Sequence, residues 1–268
     1  MSAKEPGSTM SLFFEEEEQE NLSERDQINS LIERGAIFVC NTSGGKDSGA
    51  MYLLLKEMIP PNQLIAVHAI LPGVEWDGVL DHIKATIGDT PLITCQANKT
   101  LLEMVESRGM FPSPVYRQCT SDLKRGPIEK AIRQTGHKLI VNCMGMRAQE
   151  SSGRSKLKTL TLNEANSKNG REWYNWLPIH DWKVEDVFAK IKAAGQQPHW
   201  AYAQGSSRLS CCFCIMSNKQ DLIIAAKHNP VMYAKYVALE KSTGQVMLMP
   251  SKKHGRLSLE QVTGVMAT

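Results

Sequence analysis

The sequence predicts an α/β fold, in which a doubly wound parallel sheet is followed by a helical C-terminal part. Short apolar runs rich in β-branched residues alternate with stretches of helical period between residues 25 and 143. Glycine, proline or polar residues stand where these runs end. This alternation is typical of parallel strands joined by right-handed helical crossovers. In such sheets, ligands bind beyond the carboxyl ends of the strands.

Local signals place the elements in order along the chain. A helix begins after Ser23, which caps it with Asp26, and ends before Gly35. Buried strands are expected at 36–40, 64–70, 91–95 and 138–143. Helices are expected at 49–58, 76–87, 100–107, 119–134, 181–194 and 221–243. Pro127 interrupts one of these helices, and the polar, basic segment 151–170 is predicted to be a mobile loop over the rim of the sheet.

Three parts are expected along the 268 residues. Residues 1–24 are polar and contain Glu15–Glu18, which predicts a flexible acidic tail. Residues 25–220 form the sheet domain, and residues 221–268 form the helical C-terminal part. The last 25 residues of that part are expected to be strand or coil.

Composition favours a cytoplasmic protein without membrane contact. Hydrophobic residues make up 42% and charged residues 22% of the chain, which is ordinary for a soluble globular protein. No apolar run reaches the roughly 20 residues that cross a bilayer, and the N-terminus lacks a secretion signal. The net charge of +3 is too small to indicate nucleic-acid binding by itself. Seven cysteines, three of them within four positions, do not fit a disulfide framework.

The glycine turn between the first strand and its helix predicts an anion site. It consists of Ser43, Gly44, Gly45, Lys46, Asp47 and Ser48. Free backbone N–H groups and the positive end of the helix dipole meet at such a turn. The glycines admit a phosphate, while the serine hydroxyls and Lys46 add donors and charge. The spacing is not that of the common P-loop, and a glycine-rich turn without a ligand is the alternative.

A second group of candidates follows the other strands. Gly145, Arg147 and Arg154 come after the fourth strand, where two arginines can bind the same phosphate as the glycine turn. Glu150 is expected to orient one of them, and a solvated basic loop is the alternative. His68, at the end of the second strand, can meet the ribose or base edge of a nucleotide. Four residues fall at or just past the predicted strand ends, and we therefore expect them on the rim formed by the carboxyl ends of the strands: Ser43, His68, Cys95 and Gly145.

Cysteines near residue 211 form the third candidate site. Cys211 and Cys214 have the Cys-x-x-Cys spacing of a metal chelate, with Cys119 as a third ligand and Cys212 as a fourth. Four thiolates admit a [4Fe–4S] cluster or zinc, and the adjacent cysteines favour the cluster. A redox disulfide and simple buried cysteines are the alternatives.

Together these motifs resemble the phosphoadenosine phosphosulfate (PAPS) reductase family of the adenine nucleotide α-hydrolase-like superfamily, a Rossmann-like fold. The glycine turn resembles the PP-loop of its ATP pyrophosphatases. The matching blocks are Ser-Gly-Gly-Lys-Asp-Ser at 43–48, His68 with Glu75-Trp76, Cys119-Thr120 with Leu123-Lys124-Arg125 and Pro127, Gly145-x-Arg147-x-x-Glu150-Ser151-x-x-Arg154, Pro178-Ile179 with Trp182 and Asp186-Val187, and Arg208-x-x-Cys211-x-x-Cys214.

The resemblance implies cleavage of ATP between its α and β phosphates. Sulfonucleotide reductases of the family use a cysteine near the C-terminus, but this chain has none after Cys214. An intact glycine turn is what ATP-splitting members keep, including DNA phosphorothioation ATPases. Lys46 and Mg²⁺ would then stabilise the leaving pyrophosphate, and Asp47 would bind the metal or orient the helix N-terminus. Arg147 and Arg154 would hold the remaining phosphate oxygens.

Partners and rival functions follow from the same resemblance. The activated acceptor would receive sulfur, carried by the cluster or by the Cys-x-x-Cys pair, or brought by a sulfur-donor protein. DNA or tRNA is favoured as the acceptor by the basic residues at 154–158, by Arg133 and by Lys252, Lys253 and Arg256. A sulfonucleotide reductase and a nucleotide-sensing regulatory subunit are the rival functions. Self-association as a homodimer is left open.

Overall fold

The computed structural model describes residues 23–250 and 255–267, and a six-stranded sheet lies at its centre. The strand order is β3-β2-β1-β4-β6-β5, with every neighbouring pair parallel except the antiparallel β5 and β6. The strands are β1 Ile37–Asn41, β2 Leu64–Ala69, β3 Leu92–Cys95, β4 Leu139–Cys143, β5 Leu160–Leu162 and β6 Glu172–Trp176. The predicted doubly wound α/β fold with a helical C-terminal part is confirmed.

Helices cover both faces of the sheet and form the C-terminal part. They are α1 Glu24–Glu33, α2 Lys46–Met58, α3 Val79–Ile87, α4 Leu101–Arg108, α5 Gly126–Gln134, α6 Val184–Ala193, α7 Trp200–Ala203, α8 Lys219–His228, α9 Pro230–Thr243 and α10 Leu259–Thr263. In the part of the chain that the structure describes, no helix has the length and apolar character needed to cross a membrane.

The core lies on both faces of the sheet because successive residues of a strand point to opposite sides. Phe38 and Cys40 of β1 belong to the larger hydrophobic cluster, while Val39 belongs to a smaller one with Ile140 and Trp173. Strands buried on both faces are apolar throughout, as parallel sheets require. The sheet is therefore a rigid platform for the loops at its carboxyl edge.

Among the predicted helices whose boundaries differ in the structure, two differ because of identifiable residues. The helix expected from Trp76 begins at Val79, because Gly78 has a positive φ of 77° that helical residues do not adopt. The helix expected at 221–243 is two helices, α8 and α9, which meet at Asn229 and Pro230. Proline has no N–H to continue a helix and is favoured at the start of a new one.

A π-helical turn over Ser121–Arg125 precedes α5. Pro127 cannot donate to the preceding helical turn, and its ring crowds the carbonyl four residues earlier. A wider turn in that position removes the conflict. The predicted interruption of the 119–134 helix by Pro127 therefore takes the form of a local widening at the start of α5.

Segments expected to be irregular contain further elements. The 151–170 segment, predicted to be a loop, includes β5, and β6 follows it at Glu172–Trp176. The last 25 residues include α10, so the expectation of strand or coil there is wrong for Leu259–Thr263. Most of the predicted tail, residues 1–22, lies outside the described residues. Leu222 and Tyr236, from the C-terminal helices, belong to the larger cluster of the sheet domain, and the boundary at residue 220 stays a prediction.

Candidate functional site

A cleft of about 470 Å³ opens beyond the carboxyl ends of β1, β2 and β4. The predicted site residues that line it are Ser43, Gly45, Lys46, Asp47, Ser48, His68, Gly145, Arg147 and Arg154. Cys95, also expected on this rim, lines a separate depression beside α5, because it lies on the sheet face of the smaller cluster. The structure thus brings together residues from the glycine turn, from β2 and from the segment after β4.

The glycine turn is folded so that the N-terminus of α2 opens onto the cleft. Gly44 has a φ of 71°, and a Cβ there would lie 3.2 Å from the Val79 side chain. Gly45 occupies the N-cap position without a side-chain cap. Within the turn, the Ser43 N–H donates to Ser48 Oγ over 3.2 Å, and the Ser48 hydroxyl donates to the Gly45 carbonyl over 2.9 Å. These bonds fix the turn in a shape that presents backbone N–H groups and the helix dipole to an anion.

Tyr202 is a site residue that sequence reasoning missed. Its hydroxyl oxygen accepts hydrogen bonds from the Lys46 N–H over 3.0 Å and the Leu209 N–H over 3.1 Å. Burial raises the pKa of Tyr202 to about 12, so the hydroxyl keeps its proton at neutral pH. The Lys46 ammonium lies 5.6 Å from the centre of the Tyr202 ring, within cation–π range. Tyr202 therefore ties the glycine turn to the segment that leads to the cysteines.

A chain of charges connects the glycine turn to the segment after β4. Lys46 Nζ lies 3.0 Å from one oxygen of Asp47, and Arg147 Nε donates to the other over 2.6 Å. The Arg147 side chain is only 5% exposed and also donates to Gln149 Oε1 over 2.8 Å. Buried charges of this kind are held in fixed positions by their partners. We call Lys46, Asp47 and Arg147 the charge chain.

Gly145 allows the segment after β4 to approach α2. A Cβ at Gly145 would lie 3.1 Å from the Asp47 carbonyl oxygen and 3.3 Å from the Ser48 nitrogen. Any side chain here would push the two backbones apart and separate Arg147 from Asp47. Gly145 thus allows Arg147 to lie within hydrogen-bond distance of Asp47.

Arg154 lies farther from the charge chain and is held by Glu150. The Glu150 carboxylate accepts a hydrogen bond from the Arg147 N–H over 2.8 Å and is paired with the Arg154 guanidinium. The carbonyl of Arg154 accepts from His180 Nε2 over 2.9 Å. Glu150 therefore orients Arg154, as the sequence predicts, while the Arg154 side chain stays 33% exposed.

The predicted cysteine ligands do not gather as one set. Three of them, Cys119, Cys211 and Cys214, line a small apolar cavity of about 30 Å³, which we call the cysteine cavity. Cys212 does not line this cavity; it is buried in the larger cluster, and its N–H donates to the Val74 carbonyl over 2.9 Å. Within residues 23–250 and 255–267, no three His, Cys, Asp or Glu side chains are placed to hold a metal ion.

Burial opposes ionisation of two of the cavity thiols. It raises the pKa values of Cys119 and Cys211 above the ordinary value for a thiol. The negative charge that Cys211 carries when it is ionised raises the pKa of Lys124. Both Cys211 and Lys124 also line the cleft. The cleft and the cysteine cavity therefore share a wall.

Two relatives match 45% and 77% of the chain. An uncharacterized 37.8 kDa protein of Escherichia phage 186 is 34% identical over 124 residues, which are 45% of this chain and 36% of that protein. An uncharacterized protein of Methanocaldococcus jannaschii is 28% identical over 211 residues, which are 77% of this chain and 49% of that protein. The chain thus spans about a third to a half of the length of these relatives.

Solved structures and a family model complete the comparison. A PAPS reductase of Candida auris aligns with a TM-score of 0.49 at 11% identity, covering 78% of this chain and 98% of that one. An FMN adenylyltransferase of Candida glabrata with FMN and an ATP analogue aligns with a TM-score of 0.41 at 17% identity, covering 66% and 55%. At these TM-scores neither likeness bears on function. The resemblance seen in the sequence is nevertheless confirmed, because the model of the phosphoadenosine phosphosulfate reductase domain matches residues 37–217, and the chain belongs to that family.

Proposed function

We propose that this protein is an ATP pyrophosphatase, which cleaves ATP between the α and β phosphates and adenylates an acceptor. The observation that carries the proposal is the charge chain at the N-terminus of α2, where Asp47 pairs with both Lys46 of the glycine turn and Arg147 of the segment after β4. A nucleotide's phosphates are the anions that such a combination of helix terminus, lysine and arginine binds best.

The charge chain and the glycine turn can stabilise the leaving group of the proposed reaction. Pyrophosphate departs with several negative charges, which the N–H groups of the glycine turn and Lys46 can stabilise. When the phosphates enter, their oxygens replace Asp47 as the partner of Lys46, so the ammonium is already in place when the bond breaks. Arg147 can bind two oxygens at once with its planar guanidinium. Asp47 and Glu150 both line the cleft and would hold Mg²⁺ on the phosphates, since proteins usually bind this ion through one or two carboxylates and the substrate.

The proposed reaction has two steps, adenylation of an acceptor oxygen and displacement of AMP. An acceptor oxygen attacks the α-phosphorus, the bond from that phosphorus to the bridging oxygen breaks, and the electron pair leaves with pyrophosphate. The adenylated oxygen is then a good leaving group: sulfide released by a donor protein attacks the atom that bears it, and that oxygen leaves with AMP. DNA or tRNA is the proposed acceptor, because Lys156 and Lys158 are exposed beside Arg154 near the mouth of the cleft. Lys252 and Lys253 lie outside the described residues.

An iron–sulfur cluster takes no part in these steps. Of the four predicted thiolate ligands, Cys212 does not line the cysteine cavity, and we leave it out of the proposed set. Cys119, Cys211 and Cys214 remain the proposed ligands of a [4Fe–4S] cluster, with zinc as the alternative. A cluster bound there would lie next to Cys211 in the wall of the cleft.

The proposal is tested by the phosphorus products formed from ATP and Mg²⁺ in the presence of single-stranded DNA, duplex DNA or total tRNA. We expect pyrophosphate and AMP, with stimulation by the acceptor that fades as salt rises, because binding to phosphates releases counterions. Stimulation that does not change with salt would remove nucleic acid as the acceptor. ATP binding without pyrophosphate release under every condition would instead indicate a nucleotide-sensing subunit.

A further inference from the structure

One wall of the cleft carries a buried imidazole with an unused nitrogen. The His68 side chain is 2% exposed, and its Nδ1 lies 3.0 Å from the Thr42 carbonyl oxygen. A carbonyl oxygen can only accept, so Nδ1 carries the hydrogen, and in the tautomer with a single ring hydrogen Nε2 presents a lone pair. Nε2 is buried and, within the described residues, has no hydrogen-bond partner. Buried polar atoms are rarely left in this state unless a ligand or water pairs with them.

Glu75 places a second acceptor beside that nitrogen. Its Oε2 accepts a hydrogen bond from the Leu71 N–H over 3.0 Å, which fixes the carboxylate. Its Oε1 lies 3.3 Å from His68 Nε2 but not in the geometry of a hydrogen bond. Both residues line the cleft that contains the glycine turn. His68 Nε2 and Glu75 Oε1 are therefore two neighbouring acceptors, and a group with two donors can bind to both.

We propose that His68 and Glu75 bind the two ribose hydroxyls of the nucleotide and so select a nucleotide whose 3′-oxygen is free. This inference rests on the proposed function and specifies its substrate. A vicinal diol supplies two donors on adjacent atoms, which matches two acceptors 3.3 Å apart. An acidic side chain that accepts from a ribose hydroxyl is also the means by which many nucleotide folds hold the sugar.

The pair has a direct consequence for PAPS. A 3′-phosphate at neutral pH offers the Glu75 carboxylate no hydrogen on its dianionic form and repels it electrostatically. The site therefore suits ATP and disfavours a nucleotide that carries a 3′-phosphate.

Isothermal titration of the full chain with defined nucleotides tests this inference. For the wild-type protein we expect 2′,3′-dideoxy-ATP to bind about tenfold more weakly than ATP, a difference of ~1.4 kcal/mol. Adenosine 3′,5′-bisphosphate should likewise bind more weakly than AMP. Glu75→Gln keeps an acceptor for the Leu71 N–H and should reduce both differences to about twofold. Glu185→Gln, at an exposed position on α6, is the matched control and should behave as wild type.

The outcomes separate this inference from the proposed function. Equal binding of ATP and its dideoxy analogue by the wild-type protein, or tighter binding of the bisphosphate than of AMP, would overturn the assignment of the ribose while leaving ATP binding intact. Loss of affinity for purine riboside triphosphate, which lacks the 6-amino group, with no dependence on the hydroxyls would assign the pair to the base and also overturn it. Failure of every nucleotide to bind would overturn the proposed function itself.

Discussion

The cleft and the cysteine cavity meet at Cys211 but hold their polar groups in different ways. In the cleft, Lys46, Asp47 and Arg147 are charged, largely buried and paired with one another at 2.6 to 3.0 Å. In the cysteine cavity, burial favours the neutral thiols of Cys119 and Cys211. The charged side chains of the cleft are already held by contacts that suit an anion. The cysteine cavity is lined by three cysteines, but among the described residues no such group is placed to hold a metal ion.

The different protonation of the two regions indicates that the cysteine cavity, but not the cleft, must rearrange to bind its ligand. A charge chain exchanges one set of oxygens for another when phosphates enter, and its geometry need not be rebuilt. Thiols must lose protons and move to bind a metal, because metal ligands are thiolates. We therefore expect nucleotide binding to persist in metal-free protein, whereas the cavity should change on metallation.

Removal of the Lys46 charge should have the largest effect on the cleft. Lys46→Ala eliminates a charge-assisted contact to phosphate, and we expect ATP affinity measured by titration to fall about a hundredfold. Lys56→Ala, an exposed lysine at the other end of the same helix, is the control and should leave the affinity unchanged. Equal affinities for the two variants would show that the phosphates do not bind at the glycine turn.

The two arginines should differ in importance. Arg147→Lys loses the planar arrangement that donates to Asp47 and Gln149, so ATP should bind about tenfold more weakly. Arg154→Lys should cost about threefold or less, because that side chain is partly exposed and held only through Glu150. A larger loss from Arg154→Lys than from Arg147→Lys would reverse the roles we assign to them.

Gly145 tests whether the spacing across the charge chain matters. Gly145→Ala places a methyl group 3.1 Å from the Asp47 carbonyl, which should lower the free energy of unfolding by about 1–3 kcal/mol and weaken ATP binding several-fold. Gly49→Ala is the matched control, since no atom lies within 4 Å of a Cβ there and alanine favours the helix. Thermal unfolding and titration should separate the two, and an unaffected Gly145→Ala protein would contradict the close approach.

Among these substitutions, those at the cysteines should affect the cleft least. Protein purified without air should absorb broadly near ~400 nm if it holds an iron–sulfur chromophore, or contain zinc by elemental analysis if it holds that metal. We expect Cys211→Ser to lose the metal and Cys212→Ser to retain it, with ATP affinity little changed in both. Retention in Cys211→Ser together with loss in Cys212→Ser would place the ligands elsewhere.

Local patterns were sufficient to predict part of this site. The glycine turn, the position of His68 at a strand end and the pairing of Glu150 with Arg154 all depend on residues close together in sequence. The aromatic residues Trp173, Tyr174 and Trp176 favour a strand, and they are the signal for β6, which is not among the expected strands.

Other features could not be predicted because they arise from tertiary packing. Tyr202 reaches the glycine turn from 156 residues away and belongs to no motif. Cysteine spacing likewise predicts that side chains lie near one another but not which cavity each one lines, so it could not show that Cys212 is absent from the lining of the cysteine cavity. The amide contact of Asn41 in β1 with Asn142 in β4 depends on strand order, which local periodicity does not determine.

The most direct test of the account is to identify the products formed from ATP labelled at the α-phosphate, with Mg²⁺, nucleic acid and a sulfide source, beside a parallel reaction with PAPS and a dithiol reductant. We predict label in AMP or in adenylated acceptor, with pyrophosphate released in equal amount and no sulfite formed from PAPS. Sulfite from PAPS without ATP turnover, or ADP and phosphate from ATP, would contradict the assignment of this cleft to pyrophosphate release.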